Sequence, residues 1–118
     1  MANPNIYSAT SILGDTITVP LTTTLTSTLL SGQANKVLKV NTIIVANIDG
    51  VNAASFNLYI NDGSNTRAFA YQITVPAGAT VVIIDRNSGF YLKETQTIKG
   101  GASINSDLVA TFSYEIIG

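Results

Sequence analysis

The sequence predicts an all-β domain, either an antiparallel β-sandwich or a jelly roll of about eight to nine strands. Threonine, valine, isoleucine, tyrosine and phenylalanine recur in short runs, and these residue types favour strands. Clusters of glycine, asparagine, aspartate and serine separate the runs at intervals of roughly 8–12 residues. No window shows a helical period, so the turns indicate antiparallel connections between neighbouring strands.

Alternation of apolar and polar residues predicts which side chains face the core. It begins at Ile17 and Val19, recurs over residues 55–60 and 67–75, and is clearest over residues 108–116. Residues 37–48 form the best candidate for a central strand. Its predicted inward face consists of Leu38, Val40, Ile44, Ala46 and Ile48, and its predicted outward face includes Lys39, Asn41 and Asn47.

Three further strand predictions depend on local composition. The threonine-rich stretch 22–28 is predicted to stay extended, with Leu25 and Leu29 facing inward. Residues 80–84 are apolar at nearly every position, which predicts a strand in the middle of a sheet or under another layer. Gly100 and Gly101 are predicted to end a strand that begins at Thr95.

One domain over residues 11–118 is expected, because no linker or shift in composition divides the chain. Residues 1–10 are weakly patterned and begin with Asn-Pro-Asn after Met1-Ala2. They are predicted to form an extended N-terminal arm that is ordered only against a neighbouring molecule.

Sparse charge is the most unusual feature of the composition. Lysine, arginine, aspartate and glutamate make up 11% of the chain, with a net charge of −1, against about 25% in typical domains. Such a surface repels its neighbours weakly. The composition therefore predicts a homo-oligomer, a trimer being one option, or a subunit of a larger assembly.

The residue inventory argues against catalysis, and we expect no catalytic, metal-binding or cofactor-binding residues. The chain contains no cysteine and no histidine, so thiol nucleophiles, zinc-thiolate sites and the commonest general base are excluded. Gly100-Gly101 follows Lys99, but no predicted helix follows to complete a phosphate-binding loop. The segment Asn-Asp-Gly-Ser-Asn at residues 61–65 lacks the glutamate of a calcium loop and predicts a hairpin turn.

Nucleic-acid and membrane partners are not expected either. The six basic residues are scattered along the chain and balanced by acids, so no basic stripe forms. The apolar runs are far shorter than a membrane-spanning helix. The N-terminus also lacks the pattern of a secretory signal.

Protein interfaces are the predicted role of several residues. The candidate interface residues are Asn3, Asn5, Ile6 and Tyr7 of the arm, together with Tyr59 and Tyr91. Tyrosine is frequent at protein interfaces because its ring is apolar and its hydroxyl is polar. The alternative is that outward tyrosine rings stack on a sugar, although the chain has no tryptophan.

Three segments carry a resemblance to a known family: ANKVLKVNTIIVANIDG at residues 34–50, ITVPAGAT at 73–80 and FYLKE at 90–94. With them, residues 34–118 resemble small virion structural proteins of tailed bacteriophages, particularly those of marine and cyanobacterial hosts. The resemblance implies a β-sandwich assembled into virions in the host cytoplasm. It implies a capsid decoration, or cement, protein that binds the major capsid protein or other virion proteins at the head exterior.

Two alternatives to the decoration protein stay open at this stage. One is a neck or tail component, such as a fibre-anchoring subunit. The other is a receptor-binding or glycan-binding module with the same type of fold.

Overall fold

The computed structural model describes residues 11–85 and 87–118, and these residues form nine antiparallel strands and no helix. The prediction of an all-β fold is confirmed. The strands are β1 (Ile12–Pro20), β2 (Thr28–Ser31), β3 (Val37–Asn47), β4 (Ala54–Asn61), β5 (Thr66–Val75), β6 (Thr80–Ile84), β7 (Phe90–Leu92), β8 (Thr97–Ala102) and β9 (Leu108–Ile117). The predicted arm over residues 1–10 lies outside the described residues.

Two sheets pack face to face as a β-sandwich. One sheet has the order β1-β9-β3-β6, with β7 also paired to β3, and the other has the order β2-β8-β4-β5. Side chains from both sheets form one hydrophobic cluster, as expected for the inner faces of a sandwich. Its largest fully buried members include Leu38, Ile43 and Phe112 from the first sheet and Phe56, Leu58 and Ile98 from the second.

A β-bulge in β3 corrects the predicted inward face of this strand. Val40 pairs with Tyr114 of β9, but the next pair joins Thr42 to Ser113, so Asn41 is an extra residue. An extra residue reverses the alternation beyond it. The prediction was therefore right for Leu38 and Val40 and wrong for Ile44, Ala46, Ile48 and Asn47, because the buried residues after the bulge are Ile43, Val45 and Asn47.

The prediction that β6 lies in the middle of a sheet was wrong, because β6 is an edge strand. Among the described strands it pairs only with β3, at residues 43–46, while β7 pairs with residues 38–40 of the same strand. Val82 at the centre of β6 is 59% exposed. The apolar composition of β6 therefore reflects one face on the core and one face left uncovered.

Gly100 and Gly101 do not end a strand as predicted, since β8 runs through both of them. A side-chain carbon on Gly101 would lie 2.6 Å from the Thr22 carbonyl oxygen and 2.7 Å from that of Thr24. One on Gly100 would collide with the Asn57 carbonyl oxygen. These glycines are needed because neighbouring backbone approaches the middle of β8.

The predicted extension of the chain over residues 22–28 was also wrong. Residues 21–27 form a turn, in which the Ser27 hydroxyl donates to the Thr24 carbonyl oxygen at 3.0 Å. Leu25 is consequently exposed, whereas Leu29 on β2 is buried as predicted.

The predicted turn at residues 61–65 is confirmed and joins β4 to β5. Gly63 has a φ of 96°, which glycine adopts without steric cost. Asp62 Oδ1 accepts the backbone N–H groups of Asn65 at 2.7 Å and Ser64 at 3.0 Å. The bond from Asn65 and that from Ser64 hold the pKa of the Asp62 carboxyl below its ordinary value of 3.8.

The acid response of this turn follows from that lowered pKa. A carboxyl whose pKa is lowered by folding stabilises the folded turn above the ordinary pKa of 3.8 and loses this contribution as the pH falls through the lowered value. Below about pH 4 we expect faster amide hydrogen exchange at Ser64 and Asn65 than in distant loops. Asp62→Asn should remove this acid dependence, and an unchanged pH profile in that variant would contradict the assignment.

Among the described residues, no helix has the length and apolar character needed to cross a membrane.

Candidate interaction surface

Four loops meet at one end of the sandwich, here called the loop end. They are residues 21–27, 48–53, 76–79 and 103–107, which connect β1 to β2, β3 to β4, β5 to β6 and β8 to β9. Strand register brings them together, because Pro20 and Ala46 both pair with Val109, and Ala54 pairs with Val75.

Backbone hydrogen bonds join these loops into a continuous rim. They run from Ser106 N to the Leu21 oxygen (2.8 Å), from Ile48 N to the Asp107 oxygen (2.8 Å) and from Gly78 N to the Asp49 oxygen (3.0 Å). The Thr23 N–H also donates to Asn105 Oδ1 at 2.8 Å. Each loop is thereby held by a neighbouring loop, which favours a defined shape for the whole end.

Asn47 anchors the loop of residues 48–53 from inside the protein. Its side chain is 3% exposed. The amide donates to the carbonyl oxygens of Asn52 at 2.9 Å and Val75 at 3.0 Å, and its oxygen accepts the N–H of Asp49 at 2.9 Å. This one side chain therefore ties the end of β3, the following loop and β5 together.

Exposed apolar side chains are concentrated at the loop end. Val51 is 83% exposed and Ile48 is 68% exposed, and Leu25 and Ile104 are exposed as well. These four are among nine large hydrophobic residues that are exposed in the part of the chain that the structure describes. A concentration of apolar side chains on hydrogen-bonded loops is typical of a surface that another molecule covers.

The charges at the loop end are of one sign. The four loops contain Asp49 and Asp107 and no lysine or arginine. The Val51 N–H donates to Asp49 Oδ1 at 2.8 Å, and this bond lowers the pKa of the Asp49 carboxyl below its ordinary value of 3.8. Asp49 is therefore ionised at neutral pH, and it gives the apolar surface an acidic border.

A groove of about 300 Å³ lies beside the loop end on the outer face of the second sheet. Its lining includes Thr23 and Leu25 of the loop 21–27, together with Asn57 of β4, Gln72 of β5 and Gly101 of β8. No charged residue is among those lining it. The groove extends the weakly charged surface from the loop end onto β4 and β5.

The tyrosines predicted as interface residues lie away from the loop end and apart from each other. Tyr59 is half-buried on β4, and its hydroxyl accepts a hydrogen bond from the Asn57 amide at 3.0 Å. Tyr91 is 49% exposed on β7, in the other sheet. The remaining predicted residues, Asn3, Asn5, Ile6 and Tyr7, lie outside the described part of the chain.

Sequence reasoning missed the apolar residues of the loop end, although a signal was present. Ile48 and Val51 flank the turn pair Asp49-Gly50, and Ile104 lies between Ser103 and Asn105. An apolar residue inside a turn sequence has no strand to direct it into the core. Such residues were candidates for a surface contact from the start.

No group of three or more acidic residues in the described part of the chain is arranged to hold a metal ion. No protein-family model matches this chain, and no curated protein matches it.

Proposed function

We propose that this protein is a non-enzymatic structural protein of a virus particle that decorates the capsid exterior. It binds the major capsid protein or neighbouring virion proteins through the loop end. The family resemblance of residues 34–118 supports this role, and so does the sparse charge of the chain.

The strand order supports a jelly-roll assignment within this proposal. Strands β1, β3 and β9 belong to one sheet, and β2, β4 and β8 belong to the other, so the chain crosses repeatedly between the sheets. Jelly rolls have two sheets built from nested Greek keys and recur in viral capsid proteins. The fold alone does not determine a function, so the proposal depends on the surface.

The observation that carries the proposal is the exposure of Ile48 and Val51 at an end without lysine or arginine. Interface centres are depleted in charge and enriched in apolar area. Val51 and Ile48 belong to a loop anchored by Asn47 and by the neighbouring loops. Many identical copies on one particle would add their individual contacts into firm attachment.

Capsids assembled without this protein provide the test. Purified protein should sediment with them in many copies, spread over the head in a cryo-EM reconstruction. Val51→Ser and Ile48→Ser should each weaken attachment by about tenfold or more, because each removes roughly 1.5 kcal/mol or more of apolar burial at the contact.

Val82→Ser is the matched control, since Val82 is 59% exposed but lies on β6. It should leave attachment unchanged, and all variants should keep the wild-type thermal midpoint. Density confined to one ring at the neck or tail would contradict the decoration role. Equal losses for Val51→Ser and Val82→Ser would contradict the assignment of the loop end.

A further inference from the structure

A row of four residues crosses the outer face of the first sheet, away from the loop end. Strand register aligns Gly14 of β1 with Glu115 of β9, Glu115 with Lys39 of β3, and Lys39 with Tyr91 of β7. Neighbouring strands are about 4.8 Å apart, so the distance from Tyr91 to Glu115 is about 10 Å along the row. This width accommodates one or two sugar rings.

The β3 bulge adds polar side chains to the same face. It places Asn41 next to Thr42, which pairs with Ser113 of β9. The Asn41 amide donates to Glu115 Oε1 at 3.3 Å, which shows that Asn41 and Glu115 lie on one face. A regular strand would have turned one of the two consecutive residues, Asn41 or Thr42, toward the core.

Five residues of this face line a shallow cavity of about 430 Å³. Its lining residues are Lys39, Asn41, Thr42, Ser113 and Glu115. The cavity volume falls within the range of small-molecule sites. Tyr91 is 49% exposed beside Lys39, and no atom lies within 4 Å of the side-chain position that Gly14 leaves open at the other end.

The chemistry of this face matches an uncharged polyhydroxy ligand. Lys39 and Asn41 offer hydrogen-bond donors, Glu115 offers acceptors, and the Thr42 and Ser113 hydroxyls can do both. The exposed Tyr91 ring provides an apolar surface with a polar tip. One lysine and one glutamate balance in charge, so neither an anion nor a cation is favoured.

We propose that this face is a binding site for neutral oligosaccharides. The site is separate from the loop end, so the protein can attach to a particle through the loops and present the sheet face outward. The residues that line the cavity include no apolar side chain to anchor a peptide, and their balanced charges give phosphate no excess of positive charge to bind.

Saturation-transfer NMR with maltotriose, chitotriose and N-acetyllactosamine tests the proposal on the full chain. At least one of these sugars should show transfer and a measurable dissociation constant. Tyr91→Ala and Glu115→Gln should each raise that dissociation constant by about tenfold or more, as expected for loss of an aromatic surface or of a charged hydrogen-bond acceptor.

Tyr71→Ala is the matched control, because Tyr71 is 61% exposed but lies on β5 in the other sheet. It should bind sugar like the wild type, and so should Val51→Ser, which separates this proposal from capsid attachment. Absence of transfer for all three sugars would overturn the proposal, as would equal weakening by Tyr71→Ala. If the wild-type protein bound none of the sugars and Tyr91→Ala lost capsid attachment, the face would be assigned to a protein partner instead.

Discussion

Asn47→Ala is expected to lower the free energy of unfolding by about 3 kcal/mol, because it removes three hydrogen bonds, one of them buried and two partly buried. The lost bonds are those to the carbonyl oxygens of Asn52 and Val75 and from the N–H of Asp49. An unsatisfied buried group costs its full desolvation energy, whereas an exposed group regains water. Urea denaturation of the purified variant measures the change directly.

The same variant should loosen the loop that displays Ile48 and Val51. Amide hydrogen exchange at Asp49 should speed up more than exchange at β8, and capsid attachment should weaken as a consequence. Asn47→Asp keeps the acceptor for the Asp49 N–H but places a carboxylate against the carbonyl oxygens of Asn52 and Val75, so it should also be destabilising.

Asn41→Ala is the control for the buried asparagine, because Asn41 lies on the same strand and makes one 3.3 Å bond on the outer face. It should cost less than about 1 kcal/mol. If Asn47→Ala were no more destabilising than Asn41→Ala, the anchoring role of Asn47 would be wrong.

Gly101→Ala is expected to cost about 2–3 kcal/mol, in the upper part of the usual range for overpacking a closely packed site. The new methyl group would lie 2.6 Å from the Thr22 oxygen and 2.7 Å from the Thr24 oxygen. Both oxygens belong to backbone, so relief requires the loop of residues 21–27 to move. That movement would strain the 2.7 Å bond from the Ala102 N–H to the Thr22 oxygen.

Gly14→Ala makes the same chemical change on β1, where no atom lies within 4 Å of the added carbon. It should be neutral or stabilising by about 0.5 kcal/mol, because alanine loses less conformational freedom on folding than glycine does. Chemical denaturation of the two variants side by side gives the comparison. Similar stabilities for both variants would show that the loop of residues 21–27 can move away from β8 at little energetic cost.

The sequence predicted β9 better than β3, and the reason is physical. The buried residues of β9 alternate strictly, at Leu108, Ala110, Phe112 and Tyr114, and this period of two is visible in the sequence. β3 contains one extra residue at Asn41, and a bulge leaves no mark on composition. Its place depends on which β9 residue pairs with Val40, and that is a property of two strands together.

The candidate interaction surface was likewise only partly predicted by the sequence. Tyr59 and Tyr91 were predicted for an interface from residue type alone, and the structure places them on opposite sheets. Ile48 and Val51 are recognisable in the sequence as apolar residues beside a turn, but an uninterrupted alternation along β3 predicts that Ile48 faces inward. The bulge at Asn41 reverses the alternation along β3, and Ile48 then follows the strand as an exposed loop residue.

By itself, the sequence determined the all-β class, the hairpin turn at residues 61–65, the lack of histidine and cysteine, and the sparse charge. These properties depend on composition or on residues that are neighbours along the chain, because strand periodicity and turn geometry are set locally. Tertiary structure alone decided that β6 is an edge, that β8 passes through Gly100 and Gly101, and that four loops meet at one end. Each of those outcomes depends on strand pairing and on backbone approach between segments far apart in sequence, which local periodicity does not encode.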